Sequence, residues 1–227
     1  MLAARPTAVL LGKDLRLEWR ARARLAAVGV FGLLALVVFS IAVGPDTKAL
    51  AAGAAGFLVI ALLLCSTLAL GESFRLENER RALEGLLLLP VRAGALFYSK
   101  AIANTLTLTA LAPGLSLFGF VLFGVEIRAA GIGSFLGIWC LAAAGLAAPG
   151  TLYAAMTSRL RGRDVLLPLL LFPLVVPVLI AACKALSLVL TGDPMAQLRS
   201  WTLMLLCFDL IYWSLGGILL PYVLEEG

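Results

Sequence analysis

The sequence predicts an all-α integral membrane protein of six spans, and three observations carry that reading. The 227-residue chain is 62% hydrophobic and only 14% charged, where soluble domains carry about 25% charged residues. Its mean hydropathy is +1.05. Six apolar runs, each long enough for a helix to cross a bilayer core, alternate with polar breaks. The basic residues crowd into alternate breaks. This length fits one membrane domain and leaves no room for a sizeable soluble one.

Residues 1–24 interleave Arg5, Lys13, Arg16, Arg20, Arg22 and Arg24 with Val9, Leu10, Leu11, Leu15, Leu17 and Trp19. On a helix this pattern is amphipathic and suits the headgroup region, with Trp19 as an interface anchor. The stretch is too long and too mixed in charge for a cleavable signal peptide, so the first apolar run is expected to stay as a span.

That span is 25–43, about 28 Å at helical rise. Gly44-Pro45-Asp46 makes the turn, and 49–70 is the second span, opening on small residues that permit close helix approach. The third, 101–125, carries Asn104, Thr105, Thr107 and Thr109 near one end and a kink-forming Pro113-Gly114. The fourth, 129–157, contains Gly133 and Gly137 at the GxxxG spacing, a weak dimerisation signal, and Pro149-Gly150. The fifth, 165–190, holds Pro168, Pro173 and Pro177, which predict a bent or broken helix. Lys184 near its far end can snorkel to the headgroups. The sixth is 201–224.

Between the second and third spans lies 71–100, GESFRLENERRALEGLLLLPVRAGALFYSK. It holds Glu72, Glu77, Glu79 and Glu84 with Arg75, Arg80, Arg81, Arg92 and Lys100. Glu77 and Arg81 stand four apart with the acid first, the favourable order for a helical ion pair, and Leu76, Leu83 and Leu87 keep one face apolar. Pro90 forbids simple continuation. A charged, half-apolar helix joined by a break to a span suits docking against a soluble partner, whereas a plain linker needs far fewer residues.

Fourteen basic residues fall on the side of the tail, the 71–100 segment and the 158–164 loop; the opposite loops hold Lys48, Arg128 and Arg199. The positive-inside rule therefore places both termini and the charged segment in the cytoplasm. This placement of charge, at a pI of about 9.3, also argues against a nucleic-acid partner.

Chemistry-bearing residues are sparse. There is no histidine, which removes the commonest metal ligand and general base. Cys65, Cys140, Cys183 and Cys207 all lie in apolar runs without CxxC spacing and read as small hydrophobes. Asp209 is the one acid deep in a span; it reads as part of a pairing or pathway, as a buried structural hydrogen-bond partner, or as a position near enough the surface to be wet. No nucleotide-binding GxxxxGK[ST] occurs, so any ATP site is expected on another chain.

The wording of 71–102, and of 148–180 with Arg159, Arg161, Arg163 and the proline-spaced PLVVPVLI, resembles the CcmB family, the haem-exporter B subunits of cytochrome c maturation. The positions matching the family's cytoplasmic loop are Glu72, Phe74, Glu77, Glu79, Leu83, Glu84, Gly85, Leu86, Leu87, Pro90 and Lys100. The tail KDLRLEWRARARL and the VGPD turn match as well, and the likeness covers essentially the whole chain. Arg80-Arg81 departs from the small residue the family often has there, which leaves the charge pairing open.

The resemblance implies a non-catalytic permease subunit of the ABC-2 exporter type in the bacterial inner membrane. Two copies pair with two cytoplasmic ATPase A subunits, beside a haem-handling C subunit, a small D subunit and a periplasmic haem chaperone, the E protein. It implies that Glu72, Phe74, Glu77, Glu79, Leu83, Glu84, Gly85, Leu87 and Pro90 couple the ATPase to the spans. Asn104, Asp209 and Lys184 are the intramembrane polar candidates. No metal or cofactor is expected on this chain: ATP belongs to the partner ATPase and haem to partner subunits. A permease for lipid, glycan or drug is the alternative. An intramembrane enzyme is close to excluded by the lack of histidine and of a second deep carboxylate.

Overall fold

The computed structural model describes residues 7, 10–14, 16, 22–79, 93–126, 131–157 and 163–225. The six long helices are α1 (Arg22–Val43), α2 (Thr47–Glu79), α3 (Ala93–Phe123), α4 (Ile132–Thr157), α5 (Arg163–Thr191) and α6 (Leu198–Glu225), and no strand occurs among the described residues. All six contain a stretch long and apolar enough to cross a membrane. Of the expected interfacial helix, residues 7, 10–14 and 16 are described and helical, with Leu10 and Asp14 buried and Lys13 Nζ 3.5 Å from Asp14 Oδ1.

Helix ends follow local chemistry. Asp46 caps α2, its Oδ1 accepting from the amides of Lys48 and Ala49 at 3.0 and 3.2 Å. Asp193 does the same for α6, its two oxygens accepting from the amides of Gln197 and Leu198, each at 2.8 Å. Gly44 and Gly192 precede these caps at φ +80° and +105°, values that a side chain would oppose.

The prolines of α5 do not break it. Pro168, Pro173 and Pro177 all lie inside one continuous helix. In hydrocarbon a break exposes several backbone groups, whereas an in-helix proline forfeits a single hydrogen bond. Pro113 and Pro149 are likewise internal to α3 and α4.

The core sits around α4, which packs against α2, α3, α5 and α6. Its buried face is largely small (Ala142, Ala143, Gly145, Ala147, Ala148, Gly150), so neighbouring backbones come close. Trp139 and Ile138 fill the space beside them. By contrast α1 packs chiefly on α2 and α3, and leaves Val30, Leu34, Val38 and Ile41 facing outward.

Two helices extend into the charged segment. α2 runs on to Glu79, nine residues past the expected end of its span, and α3 begins at Ala93, eight before its expected start. The second extension has a clear cause: Ala95, Leu96, Phe97, Ser99 and Lys100 are buried against the bundle. Leu83, Glu84, Gly85, Leu87 and Pro90 lie outside the described residues, as does the expected Glu77–Arg81 pair. Glu72, Phe74, Glu77 and Glu79 are placed on α2 by their backbone alone.

Candidate functional site

The charged segment is rooted in the bundle at both ends. On the entering side Leu70 is fully buried, and its Cδ1 occupies the place where a side chain at Gly150 of α4 would begin. On the leaving side Phe97 is fully buried, its ring seated in the notch left by Gly216 of α6. Tyr98 lays its ring and hydroxyl over Gly217 in the same way.

Trp213 extends this second root. It stands edge-on to Phe97 (ring centroids 6.5 Å apart) and stacks with Tyr98 (6.4 Å), and its Nε1 donates to the Ala144 carbonyl of α4 at 3.3 Å. Rings packed in glycine notches are stiff contacts, because an aromatic side chain has few ways to yield. Leu70 thus joins the entering end of the segment to α4, and Phe97 joins its leaving end to α6. Sequence reasoning missed this. Gly216-Gly217 is visible as a small pair, but nothing in the sequence says which rings meet it.

The intramembrane polar residues have three separate fates. Asn104 Nδ2 donates to Thr151 Oγ1 at 2.9 Å, a buried bridge between α3 and α4. Thr105 and Thr107 turn back on their own helix, donating to the carbonyls of Ala101 and Ala103 at 2.7 and 2.9 Å. Lys184 is exposed on α5.

Asp209 is only 7% exposed, and among the described residues neither carboxyl oxygen has a hydrogen-bond partner. It faces Gly145, where an added Cβ would stand 2.9 Å from Oδ1, and that same position is crowded by Val178 at 3.0 Å. The structural hydrogen bond that one reading expected for Asp209 is not made. Nor are the three polar candidates brought together: Asn104 pairs with Thr151, Lys184 faces outward and Asp209 stands alone.

All four cysteines are free. Among the described residues no three His, Cys, Asp or Glu side chains converge as a metal site. Met156, Met195 and Met204 are all exposed.

Six apolar helices with α4 at their core, and a charged segment rooted in them at both ends, define a multi-pass membrane protein. The chain belongs to the CcmB family, whose profile, described as CcmB protein, it matches over residues 6–224. It is similar to heme exporter protein B of Pseudomonas aeruginosa, with 32% identity over 197 residues covering 85% of this chain and 86% of that one. The protein of the same name from Rhodobacter capsulatus is 33% identical over 177 residues, covering 75% and 78%. That from Escherichia coli K12 is 34% identical over 175 residues, covering 77% and 78%.

Proposed function

We propose that this chain is the permease subunit of a haem-exporting complex in cytochrome c maturation, and that it couples ATP hydrolysis on a partner to movement of its own helices. The relatives' shared name, heme exporter protein B, favours haem as the cargo over a lipid, glycan or drug. In this reading the chain hydrolyses nothing itself. It sits in the bacterial inner membrane with both termini and the 71–100 segment in the cytoplasm. A cytoplasmic ATPase docks on that segment, and a second copy of the chain supplies the matching surface for a second ATPase subunit. The haem-handling C subunit, the small D subunit and the periplasmic haem chaperone complete the assembly, and the energy released goes into freeing the loaded chaperone.

The observation that carries the coupling reading is the length and rooting of α2 and α3. The 33 residues of α2 reach about 50 Å at helical rise, well beyond a bilayer core of about 30 Å. Its excess lies at the charged end. The return helix is then held by Phe97 in the Gly216 notch, so a push on the segment has two fixed points of delivery.

The test is complementation in a bacterium lacking its own family member. Expression of the chain with its cognate partners is expected to restore haem-stained c-type cytochromes, and the ATPase is expected to co-purify with it in mild detergent. Membrane insertion of the intact complex with no recovery of cytochrome c would overturn the haem reading. Failure of the ATPase to accompany the chain would overturn the coupling reading.

A further inference from the structure

Three helix midpoints meet at one place. Gly145, Val178 and Asp209 each stand within about a residue of the centre of their apolar stretches, Ile132–Thr157, Leu166–Thr191 and Leu198–Tyr222. The carboxyl group of Asp209 therefore lies near the middle of the bilayer, beside Gly145 at a point that Val178 also crowds. This is the most expensive depth for an acid, and such residues by default mark a working site.

Among the described residues neither oxygen finds a hydrogen-bond partner. Of the titratable groups with described side chains, α4 carries Cys140, exposed, and Tyr153, half-buried; α5 carries Cys183, half-buried, and Lys184, exposed. On α3, Tyr98 is exposed and Lys100 is buried near the Phe97 root, while α6 itself carries Arg199, Cys207, Tyr212 and Tyr222. None of these is a hydrogen-bond partner of either Asp209 oxygen. Burying a carboxyl group without a hydrogen-bond donor is costly. In addition, the fit is tight: the space beside Oδ1 is free only because residue 145 has no side chain. A well-packed interior has few ways to yield gradually, so such a seam is closed or parted rather than loose.

We infer that the seam between α4, α5 and α6 is a gate at the bilayer midplane, and that Asp209 is the group that meets water and exchanges a proton when α6 parts from Gly145 and Val178. The inference concerns this chain's own helices and goes beyond the coupling reading. It needs no ATPase to be tested, so the two can fail separately.

A lipid-soluble carbodiimide reports on such a group. The acid O–H adds across one C=N bond of the reagent: the carboxyl oxygen bonds to the central carbon and the proton goes to nitrogen. The acyl group then shifts from oxygen to nitrogen, leaving a stable N-acylurea with no other reactant consumed. The full chain, in membranes without its ATPase, is treated with dicyclohexylcarbodiimide, and the peptide containing Asp209 is followed by mass spectrometry. The expected result is a slow adduct at Asp209 that is absent in Asp209→Asn. It should form several-fold faster in Gly145→Ala, whose methyl group wedges the seam, and also in Val178→Ala, which removes one wall if the first variant fails to insert. An Asp209 that stays unmodified throughout would overturn the gate, as would labelling at a rate indifferent to both seam variants.

Discussion

The ring of Phe97 occupies the space that a side chain at Gly216 would need, and this fit locks the first turns of α3 to the C-terminal half of α6. Phe97 is fully buried, and Trp213 closes over it from one helical turn away. Neither the loss of that ring nor a side chain at Gly216 leaves the contact intact.

Gly216→Ala is accordingly expected to destabilise the bundle, since overpacking costs about 1–3 kcal/mol and the better helix propensity of alanine returns at most about 1. Phe97→Leu in the same chain is expected to recover part of the loss, because the shorter side chain vacates the notch. Thermal unfolding of the detergent-solubilised single and double variants checks both the sign and the coupling.

The Asn104–Thr151 bridge makes a second, independent forecast. Asn104→Ala leaves the buried Thr151 hydroxyl without its donor, and interhelical hydrogen bonds of this kind contribute about 0.5–2 kcal/mol. Thr151→Val added to Asn104→Ala is expected to cost little more than Asn104→Ala alone, since the interaction is already lost. Full additivity in unfolding measurements would mean that the two side chains do not depend on each other.

Haem contact can be read optically. Protein haem sites draw on histidine, methionine, cysteine thiolate or tyrosine. This chain has no histidine, and Met156 ends α4 while Met195 sits in the turn before α6. Antiparallel spans put those two methionines on opposite faces of the membrane. The isolated subunit is expected to show no stoichiometric, sharp Soret band after haem loading, with any haem in the complex held by a partner. A sharp band abolished by substituting Met195, Met204 or Tyr212 would contradict that expectation.

The number and order of the helices were legible because hydropathy and length decide them almost alone. Six apolar runs cannot leave their backbone unpaired in lipid, so six helices follow. Helix at the start of the charged stretch was also readable, from Leu76 at helical spacing, but not that it continues the second span unbroken to Glu79. The fate of Pro168, Pro173 and Pro177 was not: whether prolines bend or break a span depends on its neighbours. Glycine contacts were legible only in part. The small residues opening the second span were expected to allow close helix approach; Gly56 does face Cys183 of α5, whereas the space at Gly53 is filled by Phe57 of its own helix. Gly133 and Gly137, the other such pair, have nothing within 4 Å. Gly150 and Gly216 are visible in the sequence, but the side chains that fill their notches are not, because register and rotation choose the partners. Asp209 stood out at once as an acid in the wrong solvent; that both its oxygens lack a donor only the packing reveals.

The central claim is that 71–100 is where an ATPase takes hold of this permease. The direct measurement is recovery of the ATPase with the purified chain in mild detergent, comparing the natural sequence with charge reversals at Glu72, Glu77, Glu79 and Glu84. Glu84→Lys alone is expected to weaken association or to uncouple hydrolysis, and the fourfold reversal to abolish both, while the permease still inserts and the two roots at Leu70 and Phe97 stay packed. An undiminished yield of ATPase on the fourfold variant, with cytochrome c production intact, would contradict the account.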